Sequence, residues 1–166
     1  MSRRAIAGDE AAFLALLQKH KEDLLRTALA FLKSEHDALE ALQEVTVRAY
    51  NKIHTVKEPA YAKTWLIRIM INYCQDQLKR QKRIHHELAI DSRSTEDVSL
   101  LELKEALAAL PEKEQQLIYL KYFQDVKIKD IAKLENIPEG TVKSRLHKTL
   151  RTLRAYFEDE GGREHV

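Results

Sequence analysis

Near the C-terminus Lys143, Ser144, His147, Lys148 and Arg151 recur at helical intervals. One helix carrying them would present hydrogen-bond donors and cations from a single face. Such a face suits nucleic acid, with donors for base edges in the major groove and Lys or Arg for phosphates. A second basic stretch lies in the middle of the chain. Residues 57–86 hold Lys57, Lys63, Arg68, Lys79, Arg80, Lys82 and Arg83 against Glu58 and Asp76, a local net of +5. Residues 140–156 hold five basic residues and no acid, also +5. The whole chain carries 28 Lys+Arg and 26 Asp+Glu for a net of only +2, so its charge is segregated rather than large. Two separated basic blocks favour a polyanionic partner over two solvated helix faces.

Other chemistries lack their residues. There is one cysteine, Cys74, which excludes an intrachain disulfide and a zinc site built on paired cysteines. His85 and His86 are adjacent, without the separation that lets ligands converge on one ion, so we expect no metal. A glycine-rich phosphate loop, a HExxH pair and a nucleophile elbow are missing from the sequence, so neither catalytic residues nor a cofactor nor a small-molecule substrate are expected. Charged residues break the first 30 positions, and no window approaches the ~20 apolar residues of a membrane span. The expected location is the reducing cytoplasm.

The elements that position the basic residues are helical. Of 166 residues 44% are hydrophobic, while 4 Gly and 3 Pro are too few turn formers for many short strands. Asp9 is a candidate N-cap for a first helix with the stripe Phe13, Leu16, Leu17, Leu24, Ala28, Phe31 and Leu32. Asp37 and Glu40 have capping-box spacing before a second helix with the stripe Ala38, Leu42, Val45, Ala49 and Ile53, ending near His54. After Pro59 a third stripe runs through Ala62, Trp65, Leu66, Ile69, Met70 and Tyr73, with Trp65 assigned to the core. The polar segment that follows loses this period. The predicted fold is therefore all-α: a three-helix domain over 5–83, a flexible linker over 84–98 and a second helical domain over 99–158.

In the second domain Leu100, Leu103, Leu107 and Leu110 precede Pro111, and Leu117, Ile118, Leu120, Tyr122 and Phe123 form a further apolar face. Residues 128–147 then have helix-turn-helix spacing. Ile131 and small Ala132 lie on a helix over Ile128 to Glu135, and Asn136 stands at a corner that needs positive φ. Ile137 and Val142 plug the angle. The final helix, from Gly140 or Thr141 to about Phe157, buries Val142, Leu146, Leu150 and Leu153 and leaves the basic face outward, with a frayed tail GGREHV.

These motifs together resemble the extracytoplasmic-function (ECF) sigma factors of bacterial RNA polymerase. IKDIAKLENIPEGTVKSRLHKTLRTLR resembles their promoter-reading helix-turn-helix, with LPEKEQQLIYLKYFQDVKIKDIA similar to the stretch before it. DALEALQEVTVRAYNKI resembles the helix that grips core polymerase, and TWLIRIMINYCQDQLKRQKR the helix that engages the upstream promoter element. The resemblance implies that Asp37, Gln43, Glu44 and Arg48 meet core RNA polymerase. It implies that Tyr61 and Lys63, in the loop after the second helix, together with Arg68 and Asn72 meet the −10 promoter element. Lys143, Ser144, His147, Lys148 and Arg151 would meet the −35 element. Also implied are promoter-specific initiation and control by a membrane-anchored anti-sigma factor. Asn136 stands where the family usually has Gly, and His147 where it often has an aromatic or basic residue, which leaves the base preference there open. On the residues alone two alternatives remain: a conventional helix-turn-helix regulator, and a helical adaptor that binds only protein.

Overall fold

The structure, a computed structural model, describes residues 1–85, 103 and 105–163; for His85 and 159–163 it describes the backbone. The described residues are helical, with turns and no strand. The chain divides into two compact units, Met1–Ile90 and Asp91–Val166. Most of the segment expected to be a linker lies outside the described residues, although Ile84 and His85 still belong to a helix.

The first unit contains α1 (Ser2–Ile6), α2 (Glu10–Leu32), α3 (Glu35–Lys52) and α4 (Ala62–His85). The 3-10 turns Ile53–Thr55 and Pro59–Tyr61 lie between α3 and α4. Helices α2, α3 and α4 pack on one another, and their shared interior holds Phe13, Leu16, Leu24, Val45, Leu66, Ile67, Met70 and Ile71. Asp9 caps α2 as its residue type suggests, its Oδ1 accepting the Ala12 N–H at 3.0 Å. The α2–α3 connection needs only Lys33, in the left-handed region at φ 57°, and extended Ser34.

The start of α3 differs from the sequence expectation. Ser34, not Asp37, is the N-cap, and its Oγ accepts the Asp37 N–H at 3.2 Å. Asp37 is thereby the third helical residue, where a carboxylate favours the positive end of the helix dipole. Helix α1, a fourth helix of this unit, is absent from the sequence expectation, because five residues are too short to show a period. In α4 the buried arc includes Ile67, Ile71 and Cys74, which rotates it away from the predicted stripe. Trp65 and Ile69 lie on its flank, half-buried rather than in the interior.

In the second unit a helical stretch at 105–108 precedes Pro111 and α5 (Glu112–Ile118). Gln115 joins the two, its Nε2 donating to the carbonyls of Ala108 and Leu110 at 3.1 Å each. Helix α5 runs into a π-helical turn, Tyr119–Phe123, and then α6 (Ile128–Glu135) and α7 (Glu139–Arg163) follow. Tyr119 and Leu120 are buried, but Tyr122 and Phe123 are exposed, contrary to the predicted apolar face. The wider turn changes the angular register after Leu120, so a 3.6-residue extrapolation places these two rings wrongly. Helix α7 begins a residue before its predicted start and its backbone stays helical through Gly161 and Gly162 to Arg163, so the expected fraying of the tail does not begin at the glycines.

Candidate nucleic-acid interface

The corner between α6 and α7 is built by local chemistry. Asn136 adopts φ 56°, ψ 45°, as the helix-turn-helix spacing requires. Its N–H donates to the Lys133 carbonyl at 3.3 Å and the Ile137 N–H to the Ala132 carbonyl at 3.0 Å. This pair of bonds is a Schellman motif, which satisfies carbonyls the helix end would otherwise leave open. Pro138 stops α6 from continuing, and its carbonyl accepts from Thr141 and Val142 in the first turn of α7. Ile131, Ala132, Val142 and Leu146 are buried at the crossing of the two helices.

That crossing fixes the rotation of α7. Thr149 is buried and its hydroxyl donates to the Arg145 carbonyl at 2.8 Å, while Leu150 is 39% exposed. The buried arc is thus Val142, Leu146 and Thr149, shifted from the predicted one that included Leu150. Thr149 follows Leu146 by three residues on the buried side of the helix, and a hydroxyl that donates to a carbonyl of its own helix is buried there without leaving its donor unsatisfied. Lys143, Ser144, His147, Lys148 and Arg151 are all exposed. Arg145 and Arg154, which the sequence-based site did not include, are exposed on the same helix.

In the first unit Gln43, Glu44 and Arg48 are exposed on α3 and Asp37 is half-buried. Arg48 is not simply presented to solvent. Its Nε lies 3.7 Å from Glu44 Oε1, and its guanidinium sits 5.1 Å from the ring centroid of Tyr73 on α4. The cation therefore ties α3 to α4. The side of α3 that carries Gln43, away from Arg48, exposes Leu39, Val47 and Tyr50, three apolar side chains that sequence reasoning does not single out. Tyr50 also packs edge-on to Phe13, with centroids 5.3 Å apart. The signal that could have found Leu39 and Val47 is their four-residue offset from Gln43, which puts all three on one row.

On α4, Arg68 is half-buried and Asn72 exposed, one turn apart on the same side. Tyr61 closes the 3-10 turn Pro59–Tyr61 and is half-buried. Lys63, expected in the loop, belongs instead to the first turn of α4, with its Nζ 3.1 Å from Asp23 Oδ2 on α2. Pro59 sets the turn and Ala62 already has helical dihedrals, so the loop ends sooner than the composition suggested. Between the two 3-10 turns, Lys57 and Glu58 are exposed.

The titratable groups of this unit are mostly structural. Burial pushes the Cys74 thiol up to about 12, so it is an inert core group. Burial, then Lys63 and Lys19, hold His20 below its ordinary value. Tyr73 is raised by burial, with Glu40 and Glu44 adding to it and Arg48 opposing. Among the described residues His36, Asp37 and Glu40 bring ligand atoms within 4.8 Å of one another, on an exposed helical turn of a kind common where no ion binds.

A helix-turn-helix that buries its apolar arc and turns five basic and polar side chains outward defines a nucleic-acid-binding helical protein. Comparison with known proteins identifies which one. Residues 16–84 match the family model described as sigma-70 region 2, and residues 100–153 the one described as sigma-70, region 4. The RNA polymerase sigma factor SigV of Bacillus subtilis is 31% identical over 156 residues, covering 91% of this chain and 94% of that protein. The ECF RNA polymerase sigma factor SigM of Mycobacterium tuberculosis is 30% identical over 145 residues, covering 84% of this chain and 74% of that protein. Among solved structures, the sigma factor RpoE bound to the anti-sigma factor NepR, from Bartonella quintana, shares the fold with a TM-score of 0.61 at 20% identity, covering 89% of this chain and 97% of that one. CnrH in complex with the cytosolic domain of CnrY gives 0.65 at 20% identity, with 95% of each chain covered. The chain belongs to the ECF sigma factors of bacterial RNA polymerase.

Proposed function

We propose that this protein binds core RNA polymerase and directs it to promoters through two weak contacts held on one enzyme. The outward face of α7 carries this reading: Lys143, Ser144, His147, Lys148 and Arg151 on a helix whose rotation a Schellman corner fixes. These residues read and grip the −35 duplex. Tyr61, Lys63, Arg68 and Asn72 face the melted −10 strand. Asp37, Gln43 and Glu44 meet polymerase, Gln43 from within the row of Leu39 and Val47. Arg48, already engaged with Tyr73, contributes by holding α3 against α4 as well as by touching polymerase. Two modules tethered to one partner gain effective concentration on a promoter that carries both elements, so neither needs high affinity alone.

The chain performs no catalysis in this reading; it determines where another enzyme begins. It works in the cytoplasm, and among its described residues no helix is long and apolar enough to cross a membrane. An anti-sigma factor, membrane-anchored, holds it inactive by covering its polymerase-binding surfaces. Support comes from the solved relatives, one bound to an anti-sigma factor and the other to the cytosolic domain of CnrY.

The test is transcription in vitro with purified chain, core polymerase and a library of promoter fragments, with start sites mapped by sequencing. Starts that require the chain are expected. Duplex-specific binding by the chain alone, with no polymerase-dependent starts, would favour a conventional helix-turn-helix regulator. Within that assay Gln43→Ala and Glu44→Ala weaken polymerase binding. Lys148→Ala weakens promoter binding and lowers its log–log salt slope by about 0.9, the loss of one phosphate contact.

A further inference from the structure

Helix α1 is held more firmly than a five-residue helix would be by its own backbone. Ala5 is 1% exposed. The helix packs on α2 and on both 3-10 turns, Ile53–Thr55 and Pro59–Tyr61. Those turns are the two stems of the exposed segment containing Lys57 and Glu58. Each stem closes on its own backbone bond, Val56 N–H to the Ile53 carbonyl at 3.1 Å and Tyr61 N–H to the Glu58 carbonyl at 3.0 Å. Ile53 and Val56 are buried beneath them.

The far end of α1 is locked by one carboxylate. Gly8 turns the chain at φ 102°, a conformation that side chains rarely adopt. Asp9 then accepts from Arg4 Nη2 at 2.6 Å and Nε at 3.0 Å on one oxygen, and caps α2 with the other. Its N–H donates to the Arg4 carbonyl at 3.0 Å. Arg4 is thus joined to the first turn of α2 by side chain and backbone at once.

We propose that α1 is a brace which fixes the shape of the segment 56–61, so that Arg4 and Ala5 act as positioning residues for base discrimination on the melted promoter strand. The proposal rests on the reading of that segment as facing the melted strand. A loop discriminates between bases only if its binding shape is preorganised, because a loop that can reshape accommodates the wrong base at little cost. Joining both stems to one helix, and that helix to α2, removes the freedom by which the segment would reshape. Arg4 touches no DNA in this account.

The test uses the full chain with core polymerase and promoters randomised across the melted element. Ala5→Lys forces a long cation into the buried contact, and Arg4→Ala removes the lock while leaving the interior untouched. For both we expect the preference for the best base at the position facing the segment to fall about fivefold, the equivalent of a partial loss of one base contact. Preference at the upstream duplex element and affinity for polymerase stay at the starting level. Amide exchange at Val56 and Tyr61 quickens in both variants. Unchanged base preference, or unchanged exchange at these two amides in Arg4→Ala, would overturn the brace. A starting chain that directs no starts at all would instead sink the functional reading, and is distinguishable because the variants are then never the cause.

Discussion

The two units hold their functional faces in opposite ways. In the second, the corner that sets α7 is built between Ile128 and Thr149 from a left-handed Asn136, a proline two residues later and a small buried arc, and α5, outside that stretch, also packs on α7. In the first, the faces of α3 and α4 depend on partners far away in sequence. Lys63 is held by Asp23, Arg48 covers Tyr73, and Tyr50 packs against Phe13. One unit carries its site in a local motif, the other in a tertiary assembly. Damage should therefore spread more widely through the first unit than through the second.

The largest effect should come from the interior of the first unit. Leu66 is fully buried among α2, α3 and α4, and Leu66→Ala removes apolar contacts the surrounding helices cannot fully replace. A loss of about 2–5 kcal/mol is expected. Trp65, the single tryptophan, reports this unit by fluorescence. Its thermal midpoint should fall steeply while a second component, seen by ellipticity, keeps its own midpoint. A common shift of both would break the comparison, since it would show the units unfolding as one.

At the corner of the second unit the effect is smaller and of known origin. Asn136→Val asks a β-branched residue to adopt φ 56°, at a cost of about 1–2 kcal/mol. Asn136→Gly should be neutral or mildly stabilising in the folded state, since glycine enters that region freely. Both are read as thermal midpoints of the second unit. Unfolding by the glycine variant would contradict the Schellman account.

The same contrast decides how much of the molecule is legible in its residues alone. The helix-turn-helix is legible down to the bounds of α6, because a left-handed corner, a proline and a three-and-four period are local facts. All-helical architecture and family membership are equally legible. Legibility fails where the local period breaks or where tertiary contact decides. The π-helical turn moves Tyr122 and Phe123 outward, Thr149 takes the place of Leu150, and Ser34 displaces Asp37 as cap. Helix α1 has no period to show, and the pairing of Lys63 with Asp23 joins residues 40 positions apart that only the fold brings together.

Smaller still is the ion pair itself. Lys63 and Asp23 are both partly exposed, so solvent and salt screen their attraction. Breaking it by Lys63→Ala should cost no more than about 1 kcal/mol, and the coupling in a double-mutant cycle with Asp23→Ala should shrink as salt rises. A large, salt-insensitive coupling would mean that the pair does more to hold α4 on α2 than its exposure allows.

The smallest expected effect separates the units by pH. Burial, and after it the charges of Lys63 and Lys19, hold the His20 imidazole below its ordinary value of 6.5, with Asp23 opposing. The folded chain then binds fewer protons at this site than the unfolded chain does. Stability from this source is full above the unfolded value and is lost progressively as pH falls through it toward the lower folded value. Asp9, also held below its ordinary 3.8 by the Ala12 N–H and Arg4, acts only at more acid pH, where its carboxylate is protonated. Between about pH 7.5 and 5 the Trp65-detected midpoint should therefore decline modestly, and His20→Gln should flatten that part of the decline. Because Lys63 is the largest charge acting on His20, Lys63→Ala should also flatten the slope while removing the ion pair with Asp23. A slope left unchanged by both substitutions would show that the acid sensitivity of the first unit arises elsewhere than at the α2–α4 contact.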